Sequence, residues 1–543
     1  MVVIRAPLKE LEGRYGREIV DLILRYSSII GYSVDHDEEL KIEFNPDRPD
    51  LFSFPTLMKQ IKIFFYGEVE IRKPQIRDDA VKVTVSKGVR DIRPYFSALI
   101  AEGSSIGVHF DELINYQEIL HASIGKDRSK MAIGIHDLEK TGDSIHYTTV
   151  SRNQRMQTYD GMEGTVDWII KNHEKGIAYG RLLPGTGRSV AITDNEGNIL
   201  SLPPIVNSYR SRIDEGTKKF FVDITGTDLN SVKFAHHLMS NFFSSLKYRI
   251  RTPSIDGLPS RETEIIRAFD FRIMRPARRS IERYLGEKMD SEETITHLRR
   301  MGYVAEPGYP EIAVYVPGYR VDVMGEADII EDILKSKGIE NIEEKQIFIG
   351  KFGEPLFMNK VKDLARDTMI GLGFQEVMTF VLSPASYLQE YTGGVRIQNP
   401  KSEDYSVIRD KIYPDLLDLI ARNKKHSLPQ RIFEIGDKIV GGKQRTALSC
   451  VIADTRSEFS TAKSYMQGFL ARFTSENPVI VPQMIYGSID GRSGSIKIGE
   501  KIIGVIGEIH PAFLERFSLA VPVSFFEIDL DEIFIANMDH LGL

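Results

Sequence analysis

Four acidic residues lie close together in the second half of the chain and are of the type that binds a hard metal ion. Asp328, Glu331 and Asp332 are spaced i, i+3, i+4, so a helix places them on one face, and Asp322 ends the strand predicted before that helix. Carboxylate oxygens are the ligands that Mg²⁺ prefers, usually together with several water molecules. The spacing alone favours a simpler explanation, because acidic residues in a first helical turn stabilise the helix dipole without a metal.

Other familiar chemical motifs are absent from the sequence. It contains neither the G-x-x-x-x-G-K-[S/T] pattern of a phosphate loop nor the H-E-x-x-H pattern of a zinc helix. His236 and His237 are predicted to lie at the edge of a helix, and the glycines in residues 184–188 to form a simple turn. The single cysteine, Cys450, excludes an intramolecular disulfide and a cysteine-paired zinc site, and its apolar neighbours predict that it is buried. An NTP hydrolase or a zinc hydrolase therefore has no support from these patterns.

The composition is that of a protein with several ordinary globular domains. Hydrophobic residues make up 42% and charged residues 27% of the 543 positions, and roughly 100–200 residues per domain predicts about three to five domains. No apolar run reaches the roughly 18 residues of a membrane helix, and charged residues interrupt the N-terminal segment too early for a signal peptide. With one cysteine, the chain is expected in a reducing cytoplasm.

The charge balance neither indicates nor excludes a nucleic-acid partner. The net charge is −7, from 70 basic and 77 acidic residues, but phosphate binding needs only a local basic stripe. Basic residues are dense between residues 247 and 283, with acidic residues among them. That segment fits a contact to a nucleic-acid backbone and, by default, a solvated face with local ion pairs.

Hydrophobic periodicity divides the first part of the chain into two regions. Residues 1–75 are predicted to form a small α/β domain, with a strand at 40–44 and a helix at 57–65. Residues 76–262 lack strong helical periodicity and predict a mixed α+β domain with antiparallel strands. The strands are expected at residues 81–85, 131–135, 189–192 and 220–224.

Two further regions follow. Residues 263–345 are predicted to contain helices at 278–285, 290–301 and 328–336 and strands at 312–316 and 319–323, with Asp290 or Ser291 as an N-cap and Gly338 as a C-cap. Residues 346–543 are predicted to form an antiparallel sheet with flanking helices. Its helices are expected at 355–372 and 413–425, and its strands at 376–381, 430–435, 447–453, 502–506 and 525–530.

Five groups of residues, in order along the chain, resemble one family, the beta subunits of phenylalanine–tRNA ligases. Residues 319–333 (YRVDVMGEADIIEDI) and 338–342 (GIENI) resemble the end of its small B5 domain. Residues 398–403 (QNPKSE) with 433–437 (FEIGD), and residues 504–511 (GVIGEIHP), resemble its synthetase-like core. Residues 45–51 (NPDRPDL) resemble its N-terminal region, and residues 202–208 (LPPIVNS) with 223–228 (DITGTD) its B3/B4 editing domain. The chain has no room for the extra modules of the long bacterial form, which indicates the archaeal or eukaryotic type.

The resemblance implies an α+β multidomain fold. After the N-terminal domain at 1–75, it places a B3/B4-type editing domain at 76–262, a small helical B5-type domain at 263–345 and a class II aminoacyl-tRNA synthetase-like antiparallel-sheet core at 346–543. It implies a partner alpha subunit in an alpha2beta2 tetramer, which attaches phenylalanine to tRNA(Phe) using ATP. The beta core is a non-catalytic copy in this family, so Arg409, Arg431 and Glu434 are expected to form structural ion pairs at an interface.

The resemblance also implies that the acidic cluster is a magnesium site near the alpha-subunit interface. Its ligands would be Asp322, Asp328, Glu331 and Asp332. The family pattern often has a glutamate at the position of Asp332, so the shorter aspartate is expected to weaken or redirect that contact.

A further implication is an editing pocket that hydrolyses tyrosine wrongly attached to tRNA(Phe). A second site is useful because an apolar pocket rejects an added hydroxyl only about a hundredfold. Asp223 is the candidate acceptor for the tyrosine hydroxyl, with Thr225 beside it. The wall of the pocket would be formed by Leu202, Ser208 and Ser211.

The ester carbonyl would be held by Asn207 or by backbone amides near Gly226. No Ser-His-Asp order is evident in the sequence, so a positioned water is the expected nucleophile, and His121 and His136 are expected to be structural. Without the resemblance, residues 223–226 are explained equally well as a strand that runs into an Asx-type turn.

Two other functions remain open at this point. One is a freestanding deacylase that clears mischarged tRNA alone, although an editing module needs no synthetase-like core. The other is a non-enzymatic scaffold with an inactive pocket. An obligate subunit should expose a large apolar interface without its partner, whereas a freestanding enzyme should not.

Overall fold

A computed structural model describes residues 2–37, 39–67, 76–185, 187–259, 271–344, 346, 350, 352–385 and 395–536. The chain separates into two compact units, Met1–Lys345 and Gln346–Leu543. Within the described residues, no helix has both the length and the apolar character needed to cross a membrane.

Unit 1 begins with a three-stranded antiparallel sheet of order β1-β3-β2, covered by three helices. Strand β3 alternates exposed and buried side chains, and Leu40, Ile42 and Phe44 are buried, as period-two patterning predicts. The predicted strand and helix are both present, each slightly longer than expected. The strands are β1 (Val2–Pro7), β2 (Ser33–His36) and β3 (Glu39–Phe44), and the helices are α1 (Leu8–Tyr15), α2 (Ile19–Ile30) and α3 (Phe54–Tyr66).

The middle of unit 1 contains a nine-stranded sheet of order β12-β11-β10-β7-β4-β14-β5-β13-β6. Neighbouring strands are antiparallel, except that β4 runs parallel to both β7 and β14. The strands are β4 (Ile76–Val85), β5 (Tyr95–Glu102), β6 (Met131–Asp137), β7 (Ser144–Ser151), β10 (Arg188–Thr193), β11 (Ile199–Leu202), β12 (Val206–Asn207), β13 (Lys219–Gly226) and β14 (Arg249–Asp256), and a separate hairpin is formed by β8 (Arg155–Gln157) and β9 (Glu163–Thr165).

No bounds were predicted from the sequence for the helices in this middle region. Helix α8 buries nearly every side chain along its length, so its sequence has no exposed face to create a periodic signal. His236 and His237 lie well inside α8 and are buried, so their predicted position at a helix edge was wrong. The helices are α4 (Phe110–Ala122), α5 (Leu138–Thr141), α6 (Val166–Asn172), α7 (Glu174–Tyr179) and α8 (Leu229–Ser245).

The last part of unit 1 packs three helices with a small antiparallel sheet of order β15-β17-β16. Asp290 caps its helix by accepting the N–H of Glu293, and Gly338 ends the last helix with φ of +85°, so both predicted caps are confirmed. The strands are β15 (Arg272–Met274), β16 (Val304–Glu306) and β17 (Ala313–Val316), and the helices are α9 (Arg278–Leu285), α10 (Ser291–Arg300) and α11 (Glu326–Lys337).

The strand predicted at residues 319–323 was wrong, because those residues form turns before α11. The physical reason is Arg320, whose fully buried side chain bonds to the carboxylate of Asp322 in the same turn and to that of Asp332 in α11. Asp322 therefore does not end a strand. One hydrophobic cluster runs from Ile4 through α8 to Ile333, so the three parts of unit 1 share a continuous core.

Unit 2 is built on a seven-stranded sheet of order β18-β22-β23-β27-β26-β25-β24, antiparallel except between β18 and β22. Two clusters of buried apolar side chains cover the sheet, and the thiol of Cys450 lies fully buried in one of them, as predicted. The long strands are β22 (Gln430–Val440), β23 (Lys443–Ala453), β25 (Ser488–Ile498), β26 (Lys501–Ile509) and β27 (Val523–Asp529), and the sheet edges are β18 (Gln375–Glu376) and β24 (Val479–Pro482).

Among the described residues of unit 2, a small sheet of order β19-β21-β20 and five helices accompany the large sheet. The strand predicted at 376–381 was mostly wrong, because pairing with β22 ends at Glu376 and the following residues leave the sheet. The short strands are β19 (Leu382–Ser383), β20 (Val395–Arg396) and β21 (Val407–Ile408), and the helices are α12 (Phe357–Gly371), α13 (Tyr413–Arg422), α14 (Phe459–Leu470), α15 (Pro511–Arg516) and α16 (Leu530–Ala536).

Candidate functional site

A cavity of about 280 Å³ lies in unit 1 where the two edge strands of the nine-stranded sheet, β6 and β12, approach each other. The side-chain amide of Asn207 on β12 donates to the carbonyl of Ile135 on β6, at 3.2 Å, and so joins the two edges. Edge strands carry main-chain groups that no neighbouring strand pairs, so such a seam offers donors and acceptors to a ligand. The lining is mainly apolar, including Phe110, Ile114, Ile133, Ile135, Pro203, Ile205, Val206 and Ile213.

A buried carboxylate lines this cavity. Asp223 is 1% exposed, and its Oδ1 is 2.7 Å from Nε2 of His136. The other ring nitrogen of His136, Nδ1, is 2.7 Å from the hydroxyl of Ser211. Within the described part of the chain, Oδ2 of Asp223 has no hydrogen-bond partner although it is buried. Leaving a buried carboxylate oxygen unpaired costs free energy, so a donor from a ligand is expected there.

Gly134 gives a ligand access to that carboxylate. It pairs with Asp223 across β6 and β13, and a Cβ added at Gly134 would lie 2.2 Å from Oδ1 of Asp223 and 2.9 Å from Nε2 of His136. No rotamer change of a short, buried aspartate relieves so close a contact. Any residue other than glycine would therefore displace the Asp223–His136 pair.

Charged side chains surround part of the cavity. Glu118 accepts two hydrogen bonds from Arg128, at 2.7 and 2.9 Å, and one from Lys175, at 3.2 Å. Arg128 also donates to the carbonyls of Pro204 and Ile205, both at 3.0 Å, and so holds the loop between β11 and β12 in place. Burial opposes ionisation of Glu118, but its hydrogen bond to His121 and the charges of Arg128 and Lys175 hold the pKa of its carboxyl well below the usual range.

Two of the six residues predicted for this pocket, Asp223 and Asn207, do line the cavity. Ser211 does not line it and is connected to Asp223 through His136. Leu202 belongs to a separate apolar cluster, and the hydroxyl of Ser208 accepts the N–H of Arg210. The side chain of Thr225 accepts a hydrogen bond from the buried guanidinium of Arg93, at 3.0 Å.

The predicted use of backbone amides near Gly226 was wrong. The N–H groups of Thr227 and Asp228 both donate to the carbonyl of Lys130, at 2.9 and 3.3 Å. A Cβ at Gly226 would also meet that carbonyl, at 2.6 Å, so this turn is packed against the chain rather than open to a ligand.

Several residues of the site were missed from the sequence. His121 has the structural role that was expected, since its Nε2 accepts the N–H of Ile133 and burial lowers the pKa of its ring to about 4. His136 also has a structural role, but it contacts Asp223 directly and is therefore part of the site. Glu118, Arg128 and Lys175 come from α4, a loop and α7, and no spacing in one sequence could bring these three together.

The predicted metal ligands are not arranged around a common point. Arg320 donates to Asp322 at 2.7 Å and to Asp332 at 2.5 Å through Nη2, and its guanidinium lies 4.9 Å from the ring centre of Tyr303. The Tyr303 hydroxyl donates to Asp332 as well. A buried cation therefore already satisfies these two carboxylates.

The other two carboxylates serve the helix itself. Asp328 accepts the N–H groups of Met324 and Gly325 at the start of α11, at 2.6 and 2.8 Å, and Glu331 pairs with Lys335 at 2.9 Å. Within the described ranges, no three His, Cys, Asp or Glu side chains are grouped to hold a metal ion. The four residues do not fit a metal in this arrangement, because the position between Asp322 and Asp332 is taken by the guanidinium of Arg320.

Unit 2 contains the ion pair expected from its sequence. Arg409 and Glu434 are both buried and pair at 2.6 Å, and Thr379 is bonded to both side chains. Arg431 lies over the ring of Tyr465, at 5.4 Å. Arg409 and Glu434, whose polar atoms are used by neighbouring protein groups, therefore have structural roles in unit 2, whereas the Nε of Arg431 has no hydrogen-bond partner within the described residues.

Two families match parts of the chain. Residues 351–530 match the family described as the phenylalanyl tRNA synthetase beta chain CLM domain, and residues 275–339 match the tRNA synthetase B5 domain. The first match lies within unit 2 and the second at the end of unit 1.

Whole-length relatives and one solved structure agree with these matches. The phenylalanine–tRNA ligase beta subunit of Thermoplasma volcanium is 54% identical, over 98% of this chain and 99% of that protein. The corresponding subunit of Archaeoglobus fulgidus is 32% identical over 98% and 99%. The crystal structure of an N-terminal fragment of the Pyrococcus horikoshii phenylalanyl-tRNA synthetase beta subunit aligns with a TM-score of 0.55 and 27% identity, covering 62% of this chain and 99% of the fragment.

Proposed function

The chain belongs to the archaeal type of the phenylalanine–tRNA ligase beta subunit family, and we propose on this premise that its cavity in unit 1 hydrolyses tyrosyl-tRNA(Phe). The same proposal assigns the attachment of phenylalanine, with ATP and Mg²⁺, to an alpha subunit in an alpha2beta2 tetramer in the cytoplasm. The region around the cavity serves as a B3/B4-type editing domain, and unit 2 as a non-catalytic class II-like core.

The observation that carries the editing proposal is the buried Oδ2 of Asp223, which lines an apolar cavity and has no partner within the described residues. A phenolic hydroxyl in the cavity would donate to that oxygen, whereas a phenyl ring would leave it unpaired. A site built to bond a hydroxyl rejects the analogue without it by about 10⁴–10⁵-fold. The cavity is slightly smaller than the roughly 300–1,000 Å³ of most ligand pockets, which suits one aminoacyl side chain better than a nucleotide.

Two groups at the seam could hold the ester carbonyl. Asn207 lines the cavity, and its amide is oriented by the hydroxyl of Ser201 and the carbonyl of Ile135, which leaves its second N–H for a ligand. In an extended strand the N–H and C=O of one residue point to the same side, so the N–H of Ile135 faces the same seam. Donors placed in advance at a developing oxyanion stabilise the transition state of ester hydrolysis.

The nucleophile of this proposal is water. Ser211 is fully buried behind His136 and does not line the cavity, so its hydroxyl cannot attack an ester placed there. Arg128, Lys175 and Arg212 line the cavity, and their positive charge suits the phosphates of a tRNA 3′ end.

An exposed apolar patch on unit 2 supports the need for a partner subunit. Met378 and Phe380 are 90% and 71% exposed, and Tyr405 packs edge-to-face against Phe380. Apolar side chains this exposed, next to one another, are typical of a subunit interface. We propose that the alpha subunit covers this patch.

The experiment is co-expression of the chain with its alpha subunit, with phenylalanine attachment and tyrosyl-tRNA(Phe) hydrolysis measured for each chain alone and for the complex. The proposal expects attachment only in the complex. Phe380→Asp should lower the amount of alpha subunit that co-purifies, while Val479→Asp, at an exposed position on the edge strand β24, should not. Attachment by this chain alone would refute the non-catalytic role of unit 2. Full hydrolysis without the alpha subunit would favour a freestanding deacylase, since the whole cavity lies within unit 1.

A further inference from the structure

We infer that His136 and Ser211 form a positioning relay that orients Asp223 and leaves its Oδ2 as the acceptor for a ligand, and so set the preference of the cavity for a side chain that carries a hydroxyl. This inference rests on the proposed editing function and assigns roles to two residues that do not contact the substrate.

The protonation pattern of the relay follows from its geometry. A carboxylate can only accept hydrogen bonds, so the 2.7 Å contact between Oδ1 of Asp223 and Nε2 of His136 requires the proton on Nε2. The hydroxyl of Ser211 lies 2.7 Å from the other ring nitrogen, Nδ1, and donates to the carbonyl of Leu200 at 3.3 Å, so it links the imidazole to the backbone of β11 and fixes the orientation of the ring.

Burial makes this pattern stable. His136 and Ser211 are 0% exposed and Asp223 is 1% exposed, so water cannot replace either bond of His136. Without the Nε2 donor, both oxygens of the buried Asp223 would lack a partner, and the bond that holds its Oδ2 in position to accept a phenolic hydroxyl would be lost. The relay therefore controls the strength with which the cavity selects a hydroxyl.

The arrangement differs from a nucleophilic triad in the order of its three residues and in which of them the substrate can reach. In such a triad the serine hydroxyl faces the substrate and bonds to the imidazole, which the aspartate orients from behind. Here Asp223 lines the cavity, and Ser211 is the residue behind the imidazole. The chemistry available to Ser211 is thus to orient His136.

A second serine–histidine pair in the same unit gives a matched control. The hydroxyl of Ser97 is 2.8 Å from Nδ1 of His236, and both residues are 0% exposed. Neither residue lines the cavity. Ser97→Ala and Ser211→Ala both remove a serine–histidine bond at the same burial, and Ser211→Ala also removes the bond to the carbonyl of Leu200. The comparison therefore uses the ratio of the two kcat/KM values, which a general loss of stability lowers for both esters in parallel.

The experiment measures kcat/KM for hydrolysis of tyrosyl-tRNA(Phe) and phenylalanyl-tRNA(Phe) by the complex of this chain with its alpha subunit. His136→Leu removes the donor, while His136→Gln places an amide N–H near the position of Nε2. We expect His136→Leu to lower the ratio of the two kcat/KM values about 10- to 100-fold, as expected for the loss of a hydrogen bond to a charged group. His136→Gln should keep the ratio within about 3-fold of wild type, Ser211→Ala should lower it about 3- to 10-fold, and Ser97→Ala should leave it unchanged.

A purely structural role for the relay would slow hydrolysis of both esters in parallel and leave the ratio intact, and that result would overturn the inference. If His136→Leu does not fold, the test relies on His136→Gln and Ser211→Ala. In that case, a ratio of the two kcat/KM values that is the same in Ser211→Ala and in wild type would also overturn the inference. Failure of the wild-type complex to hydrolyse tyrosyl-tRNA(Phe) would instead refute the proposed function and, with it, the relay.

Discussion

At the residue scale, the candidate site depends on the absence of a side chain at Gly134. Gly134→Ala would place a methyl group 2.2 Å from Oδ1 of Asp223, against atoms that are buried on every side. We expect this variant to lose about 1–3 kcal/mol of stability, as overpacked cores do, and to hydrolyse tyrosyl-tRNA(Phe) poorly. Gly185→Ala is the control, because nothing lies within 4 Å of a Cβ there. Denaturant unfolding and the hydrolysis assay check both, and normal behaviour of Gly134→Ala would contradict the geometry of the site.

A second prediction at this scale concerns Asp415 in unit 2. Burial raises the pKa of its carboxyl from 3.8 to about 7, although Ser383 donates to it at 2.7 Å and Arg409 lies nearby. Between these two values the folded state holds a proton that the unfolded state has lost, so this group's contribution to stability falls as pH rises from about 4 to 7. The slope is at most about 1.4 kcal/mol per pH unit.

Asp415→Asn removes this titration, so its stability relative to wild type should increase from pH 5 to pH 8. Hydrogen exchange of amides in β22 and β23 follows unit 2 in the full chain. A constant difference between variant and wild type across that range would show that Asp415 does not bind a proton in the folded state.

The sequence could identify Asp223 as a residue of interest but not its surroundings. Asp223 and Asn207 belong to segments that resemble the family, and both line the cavity. The partners that define what Asp223 can bind come from other strands. His136 pairs with Phe221 across β6 and β13, and Ser211 is 75 residues away from His136. Such contacts are set by sheet register, which a single sequence does not specify.

At the scale of elements, the buried guanidinium of Arg320 links helix α11 to the turn before it. Arg320 is fully buried, and removal of its charge would leave Asp322 and Asp332 without the cation that satisfies them. Breaking one side of a buried ion pair costs about 3–5 kcal/mol. We expect Arg320→Met to destabilise unit 1 by that amount, while Arg279→Met, at an exposed position on α9, should change stability by less than about 0.5 kcal/mol.

Addition of Mg²⁺ distinguishes this ion pair from the magnesium site that the family resemblance implies. If Arg320 occupies the position between the two aspartates, adding Mg²⁺ or EDTA should not move the thermal unfolding midpoint of the wild-type chain. A clear rise with Mg²⁺ would show that the carboxylates release Arg320 and bind the metal, since a ligand that binds only the folded state stabilises it.

Elements with strong patterning were predicted well, and the failures have physical causes. Amphipathic helices such as α12 and α10 and alternating strands such as β3 were found close to their observed bounds. Helix α8 was missed because it is buried nearly all round, which removes the periodic signal. Residues 319–323 have the β-branched residues of a strand, but the buried bonds of Arg320 hold them in turns.

At the scale of the whole molecule, binding and association are assigned to different units. The cavity, its carboxylate and its charged groups all belong to unit 1, whereas the exposed apolar patch around Phe380 belongs to unit 2. An enzyme organised in this way can lose hydrolysis and keep its partner, or lose its partner and keep the cavity. Because the cavity and the patch lie in different units, hydrolysis and partner binding can be measured separately in one complex.

The most direct test compares wild type with Asp223→Asn in the complex with the alpha subunit, in one preparation assayed for both reactions. Asparagine keeps the size of the side chain but removes its charge and places an N–H donor beside Nε2 of His136 or the substrate hydroxyl. The account predicts a loss of tyrosyl-tRNA(Phe) hydrolysis of at least about 100-fold, with phenylalanine attachment unchanged. Equal hydrolysis by the two proteins would contradict it, because the unpaired oxygen of Asp223 would then have no part in selecting tyrosine.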